Sequence, residues 1–180
     1  MDEIEAGYNA LIRRIKEAET EKEQMTAEVA GKRAELLARM GEMAAPIVGR
    51  IGMNLLKKGR KDTKGEIFNP EYYRERMIVL GRTDPLPYRP DDAQKRVNDQ
   101  FCTLNEKGEF MELMYSTEGM EVDSYACPLS AADAIEIYGD EVMLMLYRAL
   151  SEYYKEEEET VAALGRTLDL ITGKKEEKSD

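Results

Sequence analysis

Two cysteines, Cys102 and Cys127, are the residues of this sequence best suited to redox or metal chemistry. They lack the CxxC spacing of a redox or zinc site. The turns between them place them on the first and third strands of a predicted sheet, about 9–10 Å apart, which is too far for a disulfide bond. The alternation of residues predicts that they point to opposite faces. We expect Cys102 to be a buried apolar thiol, and Cys127, beside Pro128, to be more reactive.

A basic run between residues 50 and 64 is the best candidate for a binding feature. Its cations could bind phosphate, RNA or an acidic protein surface, although a solvated loop of a highly charged protein has the same pattern. No aromatic residues are interleaved with it, and its glycines lack the Gly-Lys-Ser/Thr order of a P-loop. The candidate contact residues are Arg50, Lys57, Lys58, Arg60, Lys61 and Lys64.

Histidine is absent from the chain. This excludes Ser-His-Asp and Cys-His nucleophile systems, histidine-ligated zinc and histidine acid–base catalysis. The acid run at 156–159 is better explained as a solvated helical turn than as a metal site, because consecutive helical positions do not converge. We therefore predict no catalytic residue, no metal site and no cofactor. An enzyme that uses carboxylate, tyrosine or cofactor chemistry is kept as an alternative.

The composition is acidic and highly charged, with 180 residues, a formal net charge of -11 and 35% charged residues. This charge argues against a nucleic-acid surface along the whole chain and is typical of long solvated helices. The N-terminal residues show no secretory signal, and no apolar stretch reaches the ~18 residues of a membrane span. With only two cysteines, we expect a cytoplasmic protein that does not contact a membrane.

Apolar residues at alternating steps of four and three predict a long coiled-coil-type helix over residues 1–45. Such a long helix cannot bury this seam within its own globule, so it needs a partner helix. Lys22, Lys32 and Arg39 interrupt the seam. Its apolar members are predicted to contact the partner, and they are Ile4, Tyr8, Leu11, Ile15, Met25, Val29, Leu36 and Met43.

A second seam with the same spacing predicts a heptad helix over 141–172, followed by a charged tail at 173–180. The simplest arrangement folds the two long helices back on each other as an antiparallel stalk, with Lys32 near Glu157. The alternative leaves the first helix free to dimerise or to dock on another protein. The second seam contains Tyr147, Leu150, Tyr154, Val161, Leu164 and Leu168.

The middle of the chain, residues 46–140, is predicted to be a small α+β head. Pro46 is expected to end the first helix, and Asn69-Pro70 is a typical helix start. Ser130 is expected to cap another helix. The predicted elements are a basic loop at 57–65, a short helix at 70–80, a proline-rich connector at 83–90 and a short helix at 131–138.

Residues 100–127 alternate with a period of two and predict a three-stranded antiparallel β-meander. A four-residue loop at Asn105–Gly108 and a second turn near 117–119 separate the strands. These turns predict one buried face, packed on a helix. The residues placed on that face are Cys102, Leu104, Met111, Leu113, Tyr115, Met120, Val122 and Ala126.

The predicted fold is therefore α+β and mainly helical, with long terminal heptad helices flanking a head that contains the meander. No motif identifies a family. The function predicted is a non-enzymatic interaction subunit, adaptor or assembly factor that docks through its helices on itself or on a larger complex. The alternative is an RNA- or nucleotide-contacting factor that uses the basic segment 50–64, and the second alternative is the enzyme.

Overall fold

A single long helix, α1 (Asp2–Ile51), opens the computed structural model, which describes residues 2–172. The predicted charged tail at 173–180 lies outside the described residues. The helix continues through Pro46, so the prediction that this proline ends it was wrong. A proline within a helix removes one hydrogen bond. Here the last turns are held in place by packing instead, because Ala44 and Val48 are fully buried.

Five antiparallel strands follow and close into a barrel. Each strand pairs with the next, and the first pairs with the last, so no edge is left open. The prediction of a three-stranded meander was therefore wrong, because its three strands are the last three of five. The strands are β1 (Met53–Lys61), β2 (Ile67–Thr83), β3 (Asp99–Asn105), β4 (Phe110–Glu118) and β5 (Glu121–Pro128).

The two strands that the prediction missed form a bulged hairpin. The predicted basic loop at 57–65 belongs mostly to β1, and the predicted helix at 70–80 lies within β2. Between the pairs Lys58–Glu71 and Arg60–Phe68, β2 carries one residue more than β1. This bulge contains Asn69-Pro70, and Asn69 adopts a positive φ of 49°. An Asn-Pro pair fits a bulge because proline needs no ladder partner there.

The β3–β4 hairpin differs from the prediction by one residue. Leu104 pairs with Phe110 rather than with Glu109, and the Asn105 amide donates to the Glu109 carbonyl at 3.0 Å. Residues 106–108 therefore connect the strands instead of the predicted four, and Gly108 takes the positive φ that such a loop requires. A shift of one residue moves every side chain to the other face. Cys102 and Cys127 therefore both lie opposite Glu112 on one face. The predictions of opposite faces and of a single buried side were wrong.

One face of the sheet lines the barrel interior, where hydrogen bonds cross between strands that are not neighbours. The Tyr115 hydroxyl on β4 donates to the Leu56 carbonyl on β1 at 2.9 Å. The hydroxyls of Tyr73 on β2 and Ser124 on β5 are 2.9 Å apart. Burial, together with the nearby Tyr73, raises the pKa of Tyr115 to about 12. These tyrosines therefore stay neutral and fill the interior.

The opposite face packs under three helices, α1, α2 (Ala131–Tyr138) and α3 (Glu141–Thr172). Ser130 caps α2 by accepting a hydrogen bond from the Asp133 amide at 3.0 Å. This layer between helices and sheet forms one apolar cluster, whose buried members are Leu37, Ala44, Val48, Leu80, Cys102, Leu104, Phe110, Ala134, Val142 and Leu146.

The helices α1 and α3 run in the same direction where they meet. Arg33 pairs with Asp140 at 3.3 Å, and Arg50 donates to the Tyr153 hydroxyl at 3.4 Å. The antiparallel stalk is therefore wrong, and Lys32 instead pairs with Glu35 of its own helix at 3.8 Å. Because the overlap is parallel, the two helices leave the body at opposite ends. We call residues 2–32 the α1 arm, residues 154–172 the α3 arm, and the barrel with its packed helices the body.

Among residues 2–172, no helix has a stretch that is long and apolar enough to cross a membrane.

Gly41 allows α1 to lie close to the barrel. A Cβ atom at this position would be 2.9 Å from Phe110 Cε2 and 3.3 Å from the Gly108 carbonyl oxygen. We expect Gly41→Leu to lower the free energy of unfolding by about 2 kcal/mol, because the larger side chain must displace the barrel. Gly31→Leu is the control, since a Cβ there meets nothing within 4 Å. Urea unfolding would measure both, and equal stability of the two variants would contradict the close packing.

Candidate functional site

The α1 arm carries the predicted seam as an exposed apolar ridge. No residue of this arm is buried, and Ile4 and Met25 are 79% and 60% exposed. The ridge continues past the arm onto the part of α1 that packs on the barrel. We call the whole set the α1 ridge, and its apolar members are Ile4, Tyr8, Leu11, Ile15, Met25, Val29, Leu36 and Met43.

The barrel is contacted by a different face of α1. The buried residues there are Leu37, Gly41, Ala44 and Val48. Leu37 and Ala44 each follow a ridge residue, Leu36 and Met43, by one position, which is about 100° around the helix, so this face and the α1 ridge are separate. The helix therefore docks on its own barrel while the α1 ridge stays exposed. Sequence reasoning missed this face, although the spacing of its residues by four, three and four is itself a helical signal.

The second seam divides between the body and the α3 arm. Leu150 is half-buried and packs against the apolar cluster that contains Val142 and Leu146, so the body already covers part of it. Tyr147 lies beside these residues and is exposed. The rest of the seam forms an exposed ridge on the α3 arm, made of Tyr154, Val161, Leu164 and Leu168.

Both arms are single helices with no packing of their own. Isolated helices are marginal in water, and the stability of a helix in a protein comes mostly from covering its apolar face. Covering one large apolar side chain contributes roughly 1.5–3 kcal/mol. Long contiguous apolar surfaces of this kind mark interaction sites in folded proteins. The arrangement is therefore suited to binding another helix.

The predicted basic segment does not form a patch of one sign. Arg60 pairs with Glu121 on the neighbouring strand at 2.9 Å. Lys58 lies between Glu71 and Asp123 in the sheet register. Arg50 is separate from both, at the end of α1, where the hydrogen bond to Tyr153 raises its pKa. Acidic neighbours lower the attraction of such a surface for phosphate groups.

The two thiols flank a buried carboxylate. Glu112 accepts hydrogen bonds from the Gln100 amide at 2.6 Å and from the Tyr138 hydroxyl at 3.1 Å. Burial, and then the charge of Glu112, raises the pKa of Cys102 to about 12 and also raises the pKa of Cys127. Within the described part of the chain, no three His, Cys, Asp or Glu side chains are placed to hold a metal ion.

We expect both thiols to react slowly with a disulfide reagent such as DTNB at pH 8 in the folded protein, because the thiolate is the reactive form. Cys102 should react only after unfolding, and Cys127 should account for any slow native phase. The control is Cys127→Ala, which should remove that phase. Rapid reaction of two thiols in the folded state would contradict the buried placement.

An ion cluster fastens the connector between β2 and β3, and sequence reasoning missed it. Arg89, which is 5% exposed, pairs with both carboxylate oxygens of Asp91 and lies 3.2 Å from Asp123 on β5. Lys95 pairs with the same Asp123. The Arg89 guanidinium also lies 5.8 Å from the centre of the Tyr125 ring. The only sequence signal for this cluster is the grouping of basic and acidic residues between 89 and 96, namely Arg89, Asp91, Asp92, Lys95 and Arg96.

Of these features, the two exposed ridges are the ones that an outside molecule could cover. The thiols and the ion cluster are packed within the body, and in the basic segment Lys58 and Arg60 face acidic neighbours. The chain matches no protein-family model and no curated protein, and its fold matches no solved structure.

Proposed function

We propose that this protein is a non-enzymatic interaction subunit, adaptor or assembly factor whose arms dock on other helices, in a second copy or in a larger complex. The observation that supports this most is the α1 ridge, which is exposed from Ile4 to Met43. The α3 arm presents a second ridge at the other end of the body.

One face of α1 packs on the barrel and another is exposed, and this difference supports the same proposal. The barrel already uses Leu37, Ala44 and Val48 to fix the helix to the body. A helix that served only the body would need no apolar residues beyond that face. The arm would then be expected to carry polar residues all round. Instead, Leu11, Met25 and Val29 keep the heptad spacing where nothing of the chain covers them.

A reducing compartment such as the cytoplasm is part of the proposal. Cys102 and Cys127 are both free, and a full strand separates them. Disulfide bonds stabilise many proteins of oxidising compartments, whereas free thiols persist in reducing ones.

The experiment compares arm variants of the full chain in affinity capture and in sedimentation. Leu11→Glu with Met25→Glu places charges in the α1 ridge. Thr20→Glu with Gln24→Glu adds the same charge on the opposite side of the helix. The proposal expects an assembly, with itself or with a captured protein at fixed stoichiometry, that the first pair of changes abolishes and the second retains. A monomer whose captured proteins are identical for both variants would overturn it.

A further inference from the structure

We propose that the α1 ridge pairs with the α1 ridge of a second copy of this chain, antiparallel, with Ile4 beside the partner's Met43. This inference rests on the proposed function, since it names the occupant of the same surface. Three observations carry it: the extent of the ridge, the cations within its seam and the charge contact at its two ends.

The α1 ridge does not stop where the arm leaves the body. Leu36 and Met43 lie on the part of α1 that packs on the barrel, yet they are 44% and 78% exposed. A partner arm lying along them would cover the ridge from end to end in both copies. Two symmetric pairings do this. One is parallel, with every residue beside its own copy, and the other is antiparallel, with Ile4 beside the partner's Met43.

The three cations of the seam favour the antiparallel pairing. In the parallel pairing, each would face the same cation of the other copy within the seam, where like charges are poorly screened. In the antiparallel pairing, each meets an apolar or aromatic side chain, on which its alkyl stem can pack while its charge reaches water. The layers are Lys22 beside the partner's Met25, Lys32 beside the partner's Ile15 and Arg39 beside the partner's Tyr8.

The charges beside the seam are compatible with this pairing. Arg14 lies beside the partner's Glu35, an attractive contact that occurs twice by symmetry. Glu21 lies beside the partner's Glu28, a repulsive contact that also occurs twice. Both kinds of contact lie on the solvated flank, where charge pairs contribute little, so the flank charges nearly cancel and do not select the pairing. At each end, Arg39 lies within a turn of the acidic tip of the partner's arm, Asp2 to Glu5.

Sedimentation equilibrium of the full chain tests the pairing through one charge reversal. Arg39→Glu sets an acid beside the partner's acidic tip and removes the cation from the Tyr8 ring, so we expect the dimer Kd to rise roughly tenfold or more. Lys16→Glu makes the same charge change away from the seam and should leave the Kd within a factor of two. An unchanged Kd for Arg39→Glu would overturn the antiparallel pairing, because the parallel one only exchanges one like-charge pair for another.

Disulfide trapping in a Cys127→Ala background gives the orientation directly. Leu11 and the partner's Leu36 are in one layer of the antiparallel pair. Leu11→Cys mixed with Leu36→Cys should therefore form a crosslinked heterodimer, while neither variant alone crosslinks to itself. Self-crosslinking of Leu11→Cys would overturn the orientation. The wild-type chain should be tested at 100 μM, roughly ten times a typical weak Kd. A monomer at this concentration would overturn the second copy as the partner of the α1 ridge. The capture experiment on the arm variants would then test the proposed function separately.

Discussion

Replacing Leu146 with alanine is expected to lower the free energy of unfolding by about 3 kcal/mol. Leu146 is 0% exposed and is one of the residues by which α3 joins the cluster between the helices and the barrel. The truncation removes buried apolar surface and leaves a cavity that the closed barrel cannot easily fill, because its strands are paired on both sides. Urea unfolding followed by circular dichroism would measure the change.

The neighbouring residue provides a matched control. Tyr147 is on the same helix but is 65% exposed, so Tyr147→Ala should change the free energy of unfolding by less than about 0.5 kcal/mol. Similar losses for the two variants would mean that α3 is not seated on the barrel by the face described above.

We expect Arg89→Gln to lower the free energy of unfolding by about 2–3 kcal/mol at pH 7. The change removes the cation that pairs with Asp91 and leaves Asp123 with Lys95 as its only remaining cation in the cluster. Arg82→Gln is the matched control, because Arg82 pairs with Asp99 at a largely exposed position. Exposed ion pairs contribute roughly 0–1 kcal/mol, so the control should be nearly neutral. Equal losses for both variants would contradict the buried role of Arg89.

The same variant should also change the dependence of stability on pH. The hydrogen bond from Arg89 lowers the pKa of Asp91. Burial alone would raise the pKa of Asp123, but Lys95 and Arg89 lower it below its usual value. Carboxylates with a lowered pKa stabilise the folded state above the unfolded pKa of about 3.9, and this contribution is lost as the pH falls through the folded pKa. The difference in the free energy of unfolding between wild type and Arg89→Gln should therefore become smaller below about pH 4.

The two long helices followed from the sequence because their signal is local. A heptad seam such as Tyr8, Leu11 and Ile15 repeats along one segment, and no distant contact is needed to produce it. The end of α1 did not follow, because Pro46 is a strong local stop signal that packing of Ala44 and Val48 overrides. The direction of α3 relative to α1 also depends on the barrel between them, which a seam does not report.

The barrel was only partly predictable, because its closure depends on non-local pairing. The β4–β5 turn could be read from its glycine, but β1 pairs with β5 across a long separation in the sequence, for example Lys58 with Asp123. In β1, the cations Lys57 to Lys61 resemble a solvated loop, and in β2, Asn69-Pro70 resembles a helix start. Local propensity pointed the wrong way in both, and pairing with neighbouring strands decided the structure.

The candidate site was predictable as a set of positions but not as a surface. The spacing identified the residues of the α1 ridge, and the structure shows them exposed. The sequence could not show that Leu150 is taken up by the body, because a buried seam and a docking seam have the same period. The cluster around Arg89 joins a connector to a strand that is distant in the sequence, so no fixed spacing of residues predicts it.

The parallel overlap of α1 and α3 determines how far this small protein can reach. At 1.5 Å per residue, the α1 arm extends roughly 45 Å from one end of the body and the α3 arm roughly 28 Å from the other. A compact domain of this length has a radius of gyration of only about 16 Å. If both arms dock as proposed, the bound molecules would lie at opposite ends of the body with the barrel between them, so binding at one tip would leave the other tip free.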